Sequence, residues 1–258
     1  MTAQEVRDAE ILYNRGQEFL QEGRCREAIL LFNEALYIHV KFALAYYNRG
    51  VAQFRLNNSA EAVADMTKAI ELSPQNARAY RSRGMAYAAM GEYQKAVDDY
   101  THALAMAPNH AKTIRNRGIA HASMGKFEEA IEDFTDAIEH DSKHVKAFWN
   151  RGMAYSSLGQ FDLALADYNM ALLLTPDDPH LYQLRARCYA ATGEYSWAIA
   201  DYTKAITLKP NDPHAYLRRA GVLDLKGDAD GAKVDRQFAQ QLARRQPRSG
   251  PSGDKSKI

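Results

Sequence analysis

Several residue groups in this sequence have types and spacings that could support chemistry. His140 and His144 stand four apart, as two zinc-ligating imidazoles on one helix face would. Asp98-Asp99 and Glu132-Asp133 are paired carboxylates of the kind that shares general acid and base work. Glycines such as Gly84 and Gly91 invite comparison with a phosphate-cradling loop. A column of arginines, Arg15, Arg49, Arg83, Arg117, Arg151, Arg185 and Arg219, offers charge to nucleic-acid phosphates. No nucleophile elbow, Walker A loop or HExxH motif accompanies them. The expectation is therefore a non-enzyme, with no catalytic residue, cofactor or metal.

The elements that must position these groups follow from one period. After each arginine comes a small residue, every 34 residues: Gly16, Gly50, Gly84, Gly118, Gly152, Ala186 and Ala220. Such a period means one supersecondary unit stacked on copies of itself. Numbered from 1 to 34, the units start at Ala9, Ala43, Ala77, Ala111, Val145, Pro179 and Pro213. At about 100° per residue, positions 1, 4, 7, 8 and 11 share one helix face, apolar except at position 7. Position 15 is glycine, or Asn57 in repeat 2, and reads as a helix C-cap. Positions 17, 20, 21, 24, 27 and 28 form a second apolar stripe, and prolines at position 32 end the second helix. The fold class is all-α, built of helix-turn-helix units.

This frame reassigns the first candidates. The two histidines fall across a helix-helix junction. The paired carboxylates lie on second helices, and the glycines are packing and capping residues. Position 23 is aspartate in six repeats: Asp65, Asp99, Asp133, Asp167, Asp201 and Asp235. Arginine and aspartate columns sixteen residues apart predict an ion pair inside each repeat, which argues against nucleic acid.

The domain limits expected are an N-terminal extension over 1–8 and repeats over 9–42, 43–76, 77–110, 111–144, 145–178, 179–212 and 213–243. A disordered basic tail is expected over 244–258. Lys233, Arg236 and Gln240 stand where earlier repeats have apolar residues, so repeat 7 reads as a solvated cap. The chain has 258 residues and a net charge of +1, so nothing pulls it as a whole toward nucleic acid or anionic membrane. It has neither a signal-like h-region nor a run long enough to span a bilayer, and a cytoplasmic location is expected. Cys25 and Cys188 are expected as reduced thiols. The final Ser256-Lys257-Ile258 only approaches the Ser-Lys-Leu peroxisomal address.

Segments such as AYYNRGVA (45–52), GEYQKAVDDYTHAL (91–104) and GKFEEAIEDFTDAI (125–138) resemble tetratricopeptide repeats. The resemblance covers residues 9 to about 242. It implies a right-handed superhelical solenoid whose first helices line a concave groove with positions 2, 5, 6, 9, 12 and 13. On that face Arg55, Arg78, Arg81, Lys112, Arg115, Lys146, Arg187 and Arg218 oppose only Glu10 and Asp224. The aromatics Tyr13, Tyr47, Phe54 and Trp149 flank the basic residues. Asn14, Asn48, Asn116 and Asn150 recur at position 6, where an amide can hold an extended backbone.

These residues predict a protein-protein interaction adaptor that takes an acidic, extended peptide in a basic groove, without membrane insertion. The alternative is an assembly scaffold that self-associates through its outer faces or ends. Two further alternatives are single-stranded RNA binding and chaperone C-terminus binding. Against the first, regular base-sandwiching residues are missing. Against the second, Asn48 and Arg78 suit the clamp of related cochaperones, but Tyr13, Gln17 and Ser82 do not.

Overall fold

The 34-residue period becomes a succession of helix pairs in the computed structural model, which describes residues 2–245, with backbone alone at Arg245. The pairs are α1 (Ala3–Gln21) and α2 (Cys25–Ile38), α3 (Ala43–Arg55) and α4 (Ser59–Leu72), α5 (Ala77–Ala89) and α6 (Tyr93–Met106), and α7 (Ala111–Ser123) and α8 (Phe127–His140). Then follow α9 (Val145–Ser157) and α10 (Phe161–Leu174), α11 (Pro179–Ala191) and α12 (Tyr195–Leu208), and α13 (Pro213–Lys226) and α14 (Ala229–Arg245). The described residues contain no strand. None of their helices is long and apolar enough to cross a membrane. The helices group into a first unit, Met1–Ser142, and a second, Lys143–Ile258.

The turn inside each repeat is made at position 15. Gly91 has φ 78°, and Asn57, which replaces the glycine in repeat 2, has φ 63°. Asparagine is among the few L-residues that adopt this left-handed region routinely. The second close fit is at position 8. A Cβ on Gly84 would lie 2.8 Å from the ring of Tyr100, so the missing side chain lets α5 and α6 approach. In repeat 2, Ala45 and Ala52 are fully buried in a cluster with repeat 1, and Ala62 and Ala69 in clusters that include Ala86 and Ala79 of repeat 3.

The two charged columns meet as expected. Nε and Nη2 of Arg83 donate to the two carboxylate oxygens of Asp99 at 2.8 and 2.7 Å. The same pairing recurs at Arg49–Asp65, Arg117–Asp133, Arg151–Asp167, Arg185–Asp201 and Arg219–Asp235. In repeat 4, His121 Nδ1 also lies 2.9 Å from Asp133. The third guanidinium nitrogen turns the other way. Arg83 Nη1 donates to Thr67 Oγ1 at 3.1 Å, on α4 of the preceding repeat. Asn33, Thr101, Asn169 and Thr203 receive Arg49, Arg117, Arg185 and Arg219 in the same manner. Each of these arginines thus ties its own two helices together and ties them to the repeat before.

The ends differ from the interior. Repeat 1 has Leu31 in place of the aspartate, and Arg15 is exposed beside Phe19. Residues 3–8 are not separate from the array, since they form the first turns of α1. Thr2 Oγ1 accepts from the Glu5 N–H at 3.2 Å, and the Glu5 carboxylate accepts from the Thr2 N–H at 2.6 Å, a closed capping box. At the other end Lys233 and Arg236 are exposed, and Arg236 pairs with Asp224 of α13. Helix α14 continues through Arg244, so the expected tail begins later than 244. Residues 246–258 lie outside the described residues.

Arg83→Met should strand Asp99, which is 4% exposed, and lower stability by about 3–5 kcal/mol. Thr67→Ala should remove only the link to the preceding repeat and cost about 0.5–1.5 kcal/mol. Urea unfolding followed by circular dichroism compares the two. No loss from Thr67→Ala would mean that the arginine does not join the repeats as described.

Candidate functional site

The basic first-helix residues are built on α5 and α7 in the first unit. Neither helix contains an acidic residue. Arg78 and Lys112, at position 2, are exposed. Arg81 and Arg115, at position 5, are half-buried. None of these four makes an ion pair among the described residues. Burial lowers the pKa of both Arg81 and Arg115, and the charge of Arg78 adds to the effect at Arg81. Arg115 Nη2 donates to Asn116 Oδ1 at 2.8 Å. Its Nε is buried and has no hydrogen-bond partner. The contrast with the arginines at position 7 is chemical. Those are neutralised by buried carboxylates, whereas Arg81 and Arg115 are partly desolvated with no counter-charge.

His110 belongs to this strip although it was not expected there. It caps α7, its Nδ1 accepting from the Thr113 N–H at 3.2 Å. Burial and the charges of Arg81 and Lys112 lower its pKa. No motif marks it in the sequence, because position 34 is a capping position filled by different residue types. The acceptors at position 25 form a column of Thr and Asn, two residues after the aspartate in repeats 2 to 6.

The structure corrects two expected ligand contacts. Tyr13 and Asn48 do not stand open in a groove. Asn48 Nδ2 donates to the Tyr13 hydroxyl at 2.9 Å, and both residues are buried. The Tyr13 ring packs 4.8 Å from Phe42 and 6.0 Å from Phe32. The physical reason is stacking: the face opposite one repeat's core is covered in part by the next repeat. Tyr47 is half-buried against Ala69, Ile70 and Ala79 for the same reason. Asn14 is exposed and Asn116 half-buried.

Lys146, Trp149 and Asn150 lie in the second unit. Lys146 is exposed, and the other two are half-buried. Trp149 Nε1 donates to Met153 Sδ at 2.8 Å, and its ring meets His180 edge-on at 4.8 Å. Gln183, one repeat on, donates to Asp212 at 3.0 Å. In these two repeats position 5 reaches the start of the next first helix, at His180 on α11 and at Asp212, the N-cap of α13. The histidine pair is divided between the units, and His140 pairs with Asp136 at 3.1 Å.

Comparison with known proteins bears on this architecture. Sequence models described as tetratricopeptide repeat match residues 13–77 and 115–179, 75–143, and 152–220. No curated protein matches. Among solved structures, a tetratricopeptide repeat protein from Parabacteroides merdae is 23% identical with a TM-score of 0.73, over 93% of this chain and 95% of its own. The C-terminal part of a repeat-containing protein from Cytophaga hutchinsonii is 19% identical with a TM-score of 0.75, over 90% and 96%. YrrB, described as a TPR protein with an unusual peptide-binding site, is 23% identical with a TM-score of 0.61, over 71% and 95%. At these identities the likeness shows the fold.

His110 offers a direct probe of the strip. An anion bound beside Arg81 and Lys112 would offset the charges that depress its pKa. Histidine NMR titration should show that pKa rising when an Asp/Glu-rich decapeptide is added. A pKa unmoved by a saturating peptide would place the ligand elsewhere.

Proposed function

Because the chain belongs to the tetratricopeptide repeat family, whose repeats form protein-protein interaction modules, we propose that its first unit binds an acidic, extended segment of a partner protein along Arg78, Arg81, Lys112 and Arg115. The observation that carries this reading is the pair of half-buried guanidiniums, Arg81 and Arg115, without carboxylate partners. Four neighbouring cations repel one another, and a carboxylate-bearing ligand relieves that repulsion. Arginine can grip such a group with two parallel hydrogen bonds. Asn116 and the half-buried Tyr47 would contribute contacts at the edge of the strip. In the second unit Lys146, Trp149 and Asn150 would serve as peptide contacts of that unit. A cytoplasmic setting forms part of the proposal, in keeping with the free, buried thiols of Cys25 and Cys188.

A specific observation favours a second reading, self-association. Helix α10 exposes Leu163, Ala166, Met170 and Leu173 along one stripe. The same positions of α8 hold Glu129, Glu132, Asp136 and Glu139. Trp197, which occupies the register of Leu163 on α12, is also exposed. Contiguous apolar surface of this kind marks interaction sites.

Arg81→Glu combined with Arg115→Glu should weaken binding of an acidic partner at least about tenfold. Wild-type affinity should also fall as salt rises, since exposed charges are screened over about 8–10 Å. Circular dichroism checks that the double variant stays folded. Retained, salt-insensitive affinity in a folded variant would end the acidic-strip reading. For the second reading, Leu163→Glu with Leu173→Glu should reduce a light-scattering mass above the monomer to the monomer value. A monomeric wild type at high concentration would dismiss it.

A further inference from the structure

The first and last repeats carry charges in slots where the interior repeats pack apolar side chains on one another. Inside the array, position 24 of one repeat packs in one cluster with position 10 of the next. Met66 and Ala86, Tyr100 and Ala120, and Tyr202 and Val222 meet in this way. Position 24 is buried in repeats 1 to 6, and position 10 is buried in repeats 2 to 7. In repeat 7, position 24 is Arg236, and in repeat 1, position 10 is Glu18, both exposed. The adjoining slots behave alike. Position 21 of one repeat packs in one cluster with position 14 of the next, as Ile29 with Leu56 and Val97 with Met124. The unmatched counterparts are Lys233 in repeat 7 and Glu22 in repeat 1, again exposed and of opposite sign. Ile11, at position 3, is 65% exposed, although position 3 is buried in every later repeat.

A third contact is half-made in each of these two repeats. The arginine at position 7 donates Nη1 to position 25 of the repeat before, as Arg49 does to Asn33 at 2.7 Å and Arg185 to Asn169 at 2.6 Å. Arg15 lies on the first described helix and has no such acceptor. Leu31 also replaces its aspartate, and it makes no ion pair among the described residues. Position 25 of repeat 7 is Gln237 on the last described helix, an exposed amide with an acceptor oxygen and no arginine donating to it among the described residues. Three complementary pairs therefore stand in the register that the interior repeats define: Arg236 with Glu18, Lys233 with Glu22, and Gln237 with Arg15. A terminal repeat built for solubility alone needs polar side chains, but not opposite signs slot by slot. The present partners do not oppose an exchange. Arg236 pairs with Asp224, and Glu22 with Arg24, both on exposed surface, where an ion pair contributes little. Glu18 makes no ion pair among the described residues.

We propose that this chain stacks head to tail on further copies of itself, the repeat 7 face of one copy docking on the repeat 1 face of the next through these three pairs. The contact uses two different surfaces, so a pair of copies still offers a free face of each kind and assembly passes beyond two copies. The proposal rests neither on the strip formed by Arg81 and Arg115 nor on the apolar stripe of α10.

The test is sedimentation velocity of the full chain at rising concentration and low salt. Wild type should grow in mass past two copies, and added salt should reverse the growth, since exposed charges are screened. Glu18→Arg and Arg236→Glu should each weaken association at least about tenfold, because each sets like charges opposite one another. An equimolar mixture of the two variants should associate as wild type does, since every face then finds a partner of opposite sign in the other variant. A single chain carrying both changes should also recover. Both residues are exposed, and circular dichroism checks that each variant stays folded. Growth that persists in Leu163→Glu with Leu173→Glu belongs to the terminal repeats rather than to the stripe of α10. The proposal is overturned if wild type stays monomeric or stops at two copies. It is also overturned if either folded single variant associates as wild type does, or if the mixture fails to recover.

Discussion

The bidentate pairing of arginine at position 7 with aspartate at position 23 is the interaction on which the rest of the structure depends. It closes each helix pair from repeat 2 onward. Its third arm, from Arg83 to Thr67 and its equivalents, holds one repeat to the one before. A stacked array has no single core, so stability comes from each unit and each interface. One side chain serving both is an economical way to set the register of successive helices. At Asp167, burial outweighs the pull of Arg151 and raises the carboxyl pKa. The ionised pair is therefore costly to bury, and its role is to fix geometry more than to add free energy.

This clamp also sorts the charges of the chain. Because the arginines at position 7 are neutralised internally, they contribute little to any ligand surface. Arg81 and Arg115 lie two residues before such arginines and have no carboxylate. Arg187 lies two residues after one and has none either. The difference lies in which direction each side chain leaves the helix. Position 7 points between the helices of its own repeat, where aspartate waits. Positions 5 and 9 leave the helix in other directions, and Arg115 meets only the Asn116 amide on its own helix.

The same comparison between repeats separates packing from recognition throughout the molecule. At position 24, phenylalanine in repeats 1 and 4 and tyrosine in repeats 3, 5 and 6 supply the same ring, so the ring is what the packing requires there. Where α8 carries acids and α10 carries leucines at one register, the helix backbone requires neither. Such departures from the repeat consensus, set on a geometry that hardly changes, are where functional differences can reside.

The sequence by itself determined the all-α repeat architecture, the turn at position 15 and the ion pairs. Each follows from local periodicity or from spacing within one repeat, and a helical wheel captures both. It also marked Arg78, Arg81, Lys112 and Arg115 as a basic group on neighbouring first helices. Only the tertiary structure decided which of the marked residues are open. Tyr13 and Asn48 lie opposite their own repeat's core, yet stacking of the next repeat buries them against each other. The second task of the position-7 arginines emerged only there as well. The reason is that contacts between repeats join residues on two different helical wheels. Their geometry depends on how the units stack, which the period of one unit does not contain.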